Sequence, residues 1–494
     1  MKSQMLWIAA LAGSLVQQSA LTGAAQEAAP TSEDIKALRQ KIDELEQKVK
    51  RLEQERREPE STSQQGIEDL DQKVKVLERK RELDQETADA KAKTAPTVSV
   101  GSNGLVVRSG DSNFLMNVHG YVQADARFYL NNHSTANDTF LLRRVRPIIE
   151  GTVYDRFDYR LMADFGSGNA SSSSPGNNAL LDDAYVNARL WPQFQIQAGK
   201  FKSPVGLERL QSSAELLFIE TGFATQFTPN YDLGIELHNN LFNTPINYAI
   251  GVFNGAVDAS SSDADTTDEG KDVAGRVFVQ PFLTTGPEAL RKLGFGVGGS
   301  VGHHAGALPN YKTPGQQTFF AYTNGVSADG QQYRIDPQFY YYWGPFGIIG
   351  EYALSSQEVK TSSRASDRRF DNTAWQVEAS YFLTGDQNSF RASSRNPFQT
   401  LHPLTMGGSG WGAVELVGRV GQLSLDRAAF PSYATSVSAR EATSWGVGLN
   451  WYLNNNLRLY LDYESTKFEG GSKAKGSVTA RDEQVLLARI QFSF

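Results

Sequence analysis

Arg143, Arg144 and Arg146 stand together in LLRRVRPIIEG. A guanidinium group is a planar fork that donates two parallel hydrogen bonds to two oxygens of an oxyanion, which suits it to phosphate. Fixed cations near a constriction, with heads that stay partly hydrated, lower the barrier to a passing anion. On a strand, Arg144, Arg146 and Glu150 share a face with Leu142, whereas Arg143 shares the face of Val145 and Ile149. Strict alternation therefore aims Arg144 and Arg146 at a lumen and leaves Arg143 at the rim unless a bulge intervenes. On the following strand Arg160 has the inward phase, as does Arg189 further on. Lys200 and Lys202 precede a segment beginning Ser203-Pro204, and that segment, SPVGLERLQSSAELLFIETGF, carries Arg209 with Glu208, Glu215 and Glu220 but no lysine.

Two readings follow from these residues. Either the cations impose a preference for anions, or they pair with Glu150, Asp158 and Asp164 and leave a diffusion pore of weak selectivity. Other chemistry has little support. His303 and His304 are adjacent, so on a strand they point to opposite faces and cannot readily share a metal. DADTTDEG (263–270) has the oxygens for Ca²⁺ but reads better as a solvated acidic loop. No nucleophile stands near a suitable base and no glycine-rich loop is shaped to cradle phosphate. The expectation is a protein with no cofactor that makes and breaks no bond.

The elements that must position these cations are strands. QVLLARIQFSF at the end of the chain places Gln484, Leu486, Ala488, Ile490, Phe492 and Phe494 on one face. Val485, Leu487, Arg489, Gln491 and Ser493 occupy the other. FLMNVHGYVQADARFYL alternates in the same way, with Val118 to Leu130 opposite Asn117 to Tyr129. In DRFDYRLMADF, Phe157, Tyr159, Leu161, Ala163 and Phe165 oppose Asp158, Arg160, Met162 and Asp164. Long strands with charge on one face fit a wall that has lipid outside and water inside. Short turns such as 154–156 and 453–456 alternate with long polar segments such as 166–178 and 258–271. At roughly 20 to 27 residues per strand and turn, the chain from 114 to 494 gives an antiparallel transmembrane β-barrel of about 16 strands, wide enough for an aqueous channel.

Composition agrees. Aromatic residues make up 11% of the 494-residue chain, with 19 Tyr, 27 Phe, 44 Gly and no Cys. Mean hydropathy is −0.41, and beyond the N-terminus no apolar run reaches the length of a membrane helix. A formal charge of −7 gives no reason to expect a nucleic-acid partner.

Residues 1–25 read as an export signal: Lys2, an apolar stretch from Met5 to Val16, then Gly23-Ala24-Ala25. Residues 26–95 form an α-helical coiled-coil segment, with Ile35, Leu38, Ile42, Leu45, Val49 and Leu52 at heptad core spacing. Pro59 and Gly66 interrupt it before Ile67, Leu70, Val74 and Leu77 resume. Residues 96–113 form a linker, and 114–494 the barrel.

Several stretches resemble the phosphate-selective porin O and P family. They are FLLRRVRPIIEGTVYDRFDYRLMADFG (140–166), DDAYVNARLWPQFQIQAGKFKSPVGLE (182–208), YFLTGD (381–386), WGAVELVGRV (411–420) and NWYLNNNLRLYLDY (450–463). The heptad segment lies outside the resemblance. What it implies is a trimer of 16-stranded barrels, each a narrowed anion channel. Arg143 and Arg144 would line the pore, and the loop after Lys202 would fold into the barrel. The expected function is an outer-membrane porin passing small anions, phosphate first, with Arg143, Arg144, Arg146, Arg160, Lys200, Lys202 and Arg209 as its anion-binding residues. Its expected partners are those anions, outer-membrane lipids and two further copies of the chain. The rivals are a general diffusion porin and a structural protein that tethers the envelope to the cell wall through the coiled coil.

Overall fold

A computed structural model of the chain describes residues 32–55, 63–102, 104–131, 137–166, 179–241, 244–263, 269–361, 364–391, 398–405, 407–472 and 482–494. The expected export signal, the break at Pro59, residues 167–178 and the centre of the acidic segment 263–270 lie outside the described residues. The chain divides into two compact units, Met1–Ala92 and Lys93–Phe494.

The first unit holds helix α1 (Ser32–Glu55) and most of α2 (Ser63–Thr94). Ile42, Leu45, Val49 and Leu52 on α1 are exposed, as are Leu70, Val74 and Leu77 on α2. Helices of this length are marginal alone. The i,i+4 pairs Asp69–Lys73 and Asp71–Lys75, at 2.9 and 2.7 Å, add only a few tenths of a kcal/mol each. Among the described residues no helix is long and apolar enough to cross a membrane.

The second unit opens with a hairpin of β1 (Thr97–Gly101) and β2 (Gly104–Arg108), and β2 pairs with the start of β3 (Phe114–Tyr129). From β3 the chain runs through β4 (Thr139–Val153), β5 (Phe157–Asp164), β6 (Leu180–Ala188), β7 (Gln195–Lys202), β8 (Tyr231–Asn240), β9 (Ile246–Phe253), β10 (Asp272–Val279) and β11 (Leu293–Gly306). A small pair, β12 (Tyr311–Lys312) and β13 (Thr318–Phe320), sits in the connection that follows. Then come β14 (Val326–Trp343), β15 (Phe346–Thr361), β16 (Arg364–Phe382), β17 (Ala413–Ser424), β18 (Glu441–Tyr452), β19 (Leu457–Glu469) and β20 (Glu483–Ser493). Leaving out the small pair, each strand from β3 on is antiparallel to the next, and β20 returns to β3 from Val485↔Tyr129 to Ser493↔Tyr121. Phe494 continues the seam by exchanging backbone hydrogen bonds with Gly120 at 2.9 and 3.0 Å. Sixteen strands thus close with no free edge, so every wall N–H and C=O can be satisfied within hydrocarbon.

The packing is inverted relative to a water-soluble core. Along β18, Trp445, Val447 and Leu449 are 41–49% exposed, whereas Ser444 and Asn450 on either side of them are at most 2% exposed. The period-two pattern encodes this directly: lipid takes the apolar stripe and the lumen takes the polar one.

Short connections, including 154–156, 344–345 and 453–456, gather at the end of the barrel that holds Phe494. The connection 383–412 at that same end departs from the expected short turns. Its Arg391 is buried, ion-paired to Glu415 at 3.1 Å and bonded to Tyr452 at 2.8 Å. Its Phe398 stacks on Phe382 with centroids 4.6 Å apart. Arg391 and Phe398 therefore pack onto the inner wall, with nothing in the sequence periodicity to announce it.

Candidate functional site

Residues 203–230, between β7 and β8, form a loop packed inside the barrel. It includes one helical turn, α3 (Leu207–Leu210). Wall side chains fasten its backbone at successive points. Glu351 accepts from the N–H groups of Leu207 and Glu208 at 2.6 and 2.8 Å, and Asp462 from that of Ile219 at 2.7 Å. Arg458 donates to Ala214 O at 2.8 Å, and Arg419 to Glu220 O at 2.9 Å. Gly298 on β11 lets the loop approach, because a Cβ there would lie 2.1 Å from Val205 O.

The loop's three acids are spent on this fastening. Glu215 pairs with Arg458 at 2.8 Å. Glu208 accepts from Gly222 N and from Gln376. Glu220 pairs with Arg127 and Arg143 at 2.8 and 2.6 Å. Burial alone raises the pKa of Glu220, but Arg143 and Arg127 outweigh it and hold the carboxyl below its ordinary value.

Arg143 reaches Glu220 because β4 carries a bulge. Gln123 pairs with Arg144 and Ala124 with Leu142, so Arg143 is the extra residue. The alternation that would have put it at the rim breaks at that point, and both arginines face inward. A second bulge, in β6, makes Asp182 the extra residue beside Asp183. Both aspartates are buried. In each case two adjacent like charges mark the irregularity.

The seven expected site residues separate into distinct environments. Arg146 is ion-paired to Asp164 and Asp182 at 2.8 and 2.7 Å. Arg160 is held by Glu150 and Asp183 at 2.5 and 2.9 Å. Arg143 is committed to Glu220. By contrast Arg144, Lys202 and Arg209 form no ion pair among the described residues. Arg144 donates to Gln123 at 2.9 Å and its buried Nε has no partner. Lys202 donates to Gln211 O at 2.6 Å and lies over the Tyr231 ring. Arg209 donates to Thr225 O and, at 3.4 Å, to the Thr228 hydroxyl. Lys200 stands apart from these. It is buried, pairs with Asp263 and lines neither of the two cavities that flank the loop.

Two cavities flank the loop. One, of about 440 Å³, is lined by Arg143, Arg144 and Arg209, and the other, of about 320 Å³, by Arg160. They share only Arg146, Lys202, Ser213 and Tyr231, which marks the junction between them. Sequence reasoning missed two cations here. Arg276, in the smaller cavity, donates to Gln338 at 2.7 Å, and its inward phase in DVAGRVFV was a legible signal. Lys312, in the larger cavity, carried no such signal. Burial and then the charge of Arg143 lower its pKa, as expected for a cation crowded by other cations. Neither forms an ion pair among the described residues.

The larger cavity thus has six cations against four carboxylates, and the smaller has four against two. Where a cation meets only neutral oxygens, its charge is left uncancelled.

Comparison with known proteins gives the chain its relatives. Porin O of Pseudomonas aeruginosa strain PAO1 is 23% identical over 429 residues, which span 79% of this chain and 91% of the relative. Among solved structures, an anion-selective porin from Comamonas acidovorans aligns at 13% identity and a TM-score of 0.47, over 77% of this chain and 100% of the other. The trimer form of OmpT from Vibrio cholerae aligns at 9% identity and 0.47, over 77% and 99%. Residues 116–494 match the family described as phosphate-selective porin O and P. With that match covering the barrel from β3 to its last residue, the chain belongs to the phosphate-selective porin O and P family.

Proposed function

We propose that each barrel carries small anions, inorganic phosphate first, down their gradient along the cations that lack carboxylate partners. The protein is an anion channel of the outer membrane of a Gram-negative bacterium, not an enzyme. The observation that carries the proposed path is the contrast between two sets of cations. Arg143, Arg146 and Arg160 are neutralised by acids and stiffen the wall. Arg144, Arg209, Lys202 and Arg276 donate to neutral acceptors, Lys312 forms no ion pair among the described residues, and all five line the two cavities. An anion moving between such sites exchanges one partial solvation shell for the next, binding neither too weakly to enter nor too tightly to leave.

In a planar bilayer separating unequal KCl solutions, the zero-current potential is expected to take the sign of chloride permeation. Added phosphate is expected to block the chloride current. A potential of the opposite sign would defeat this reading.

The same reading covers assembly. The exposed heptad stripe on α1 and α2 is best satisfied by the same segments of other copies, as a coiled coil that supports a trimer. Because the native chain has no cysteine, Leu45→Cys should form disulfide-linked subunits on mild oxidation, and Gln47→Cys, on the opposite side of the heptad, should form few. Equal crosslinking at the two positions would rule the seam out. If oligomers persist after removal of residues 32–93 but the envelope loosens, the helices serve as a tether and not for assembly.

A further inference from the structure

Of the described carboxylates that line the two cavities, one is unaccounted for. Glu236 on β8 is 8% exposed, lines the smaller cavity, and forms no hydrogen bond or ion pair among the described residues. The other carboxylates on the two cavities are all engaged. Asp182 and Asp183 hold Arg146 and Arg160, and Glu220 holds Arg127 and Arg143. Glu208 accepts from Gly222 N and Gln376, while Asp258 holds Arg334 and the Ser355 hydroxyl.

The register locates Glu236 along the path. Lys202 pairs with Tyr231 at one end of the β7–β8 ladder, Gln197 with Glu236 further along, and Gln195 with His238 beyond. His238 in turn lies level with Ala249 and Arg276. An anion released by Lys202 toward Arg276 therefore passes Glu236.

A lone buried carboxylate on an anion path is puzzling unless the anion brings a proton. An ionised carboxylate only accepts hydrogen bonds. Hydrogen phosphate and sulfate are both tetrahedral dianions of similar size, but hydrogen phosphate carries one O–H and sulfate none. Hydrogen phosphate can turn its hydroxyl toward Glu236 and offset the repulsion with a charge-assisted hydrogen bond. Sulfate can present only oxygens, so the repulsion stands uncompensated in a partly desolvated site. We propose that Glu236 is the residue by which this channel distinguishes hydrogen phosphate from sulfate, through a hydrogen bond that only the protonated anion can donate. The inference rests on the anion-channel reading above and adds the rejected class: tetrahedral oxyanions without a hydroxyl.

The test compares block of chloride current by phosphate, arsenate, sulfate and selenate at about pH 9, where phosphate and arsenate are present as the monoprotonated dianions. In the native channel, phosphate and arsenate should block at concentrations about tenfold or more below those of sulfate and selenate, since a site that uses a ligand's hydroxyl discriminates strongly against analogues lacking it. In Glu236→Gln, which keeps the shape and removes the charge, the two classes should converge to within about threefold. Glu236→Asp should keep the order of the two classes. The proposal is overturned if Glu236→Gln preserves the native ratio, or if the native channel sorts the four anions without regard to the hydroxyl. The KCl zero-current potential is read in the same membranes. If it keeps its sign while the ratio fails to move, this proposal falls and the anion-channel reading stands. A reversed sign in the native channel removes both.

Discussion

Lys202→Glu is expected to abolish the preference for anions and to weaken phosphate block by about a hundredfold or more. Lys202 is the single unpaired cation at the junction of the two cavities, because Arg146, which shares that position, is neutralised by Asp164 and Asp182. At an effective dielectric constant of about 20, unit charges about 4 Å apart interact by about 4 kcal/mol. Reversing the sign turns an attraction of that order into a repulsion on the proposed anion path. The effect should shrink with added salt for the portion of the path that is hydrated. Lys271→Glu, on a residue that lines neither cavity, serves as the control and should leave both readouts near native values. Selectivity in Lys202→Glu indistinguishable from that control would show that the path lies elsewhere.

Arg419→Met is expected to cost about 3–5 kcal/mol and to loosen the inner loop. The guanidinium of Arg419 sits on the Phe218 ring, 4.3 Å from its centroid. It pairs with Glu464 and, at 3.1 Å, with Glu378, and donates to Glu220 O. Methionine keeps the apolar contact but strands two buried carboxylates, and breaking such a pair by removing one partner has a cost of about this size. The loss should appear as a lower temperature for the mobility shift of the barrel on detergent gels. Single-channel conductance should rise and become noisier as the loop detaches near Phe218–Glu220. Arg189→Met removes the more exposed pair with Asp158 and should cost less than about 1 kcal/mol. Equal stability of the two variants would show that the loop does not depend on this clamp.

The two variants probe different levels of the same object, and the levels differ in how far they could be read from residues alone. Barrel closure was readable because it is local. The pleat sends successive side chains to opposite faces, so Ile490 and Phe492 against Arg489 and Gln491 declare lipid and water before any partner strand is known. Arg160 and Arg276 were legible for the same reason, and so was the inward phase of Arg144 and Arg146.

Arg143 and Lys200 show where that rule ends. A bulge adds one residue and reverses the phase beyond it, so Arg143 turned inward against the alternation, while Lys200 pairs with Asp263 and lines neither cavity. Whether a cation is spent or free depended on residues distant in the chain. Glu220 finds Arg143 across 77 positions and Glu215 finds Arg458 across 243. The acids of the inner loop, Glu208, Glu215 and Glu220, proved to be its fastenings.

By itself, then, the sequence determined the sixteen-stranded wall, its oily and wet faces, and the helical segment ahead of it, since each follows from spacing along a few residues. Only the tertiary structure decided which cations are paired with acids, where the two cavities meet, and that Arg391 and Phe398 turn inward. Those outcomes are set by ion pairs closed across the lumen, and no local period encodes them.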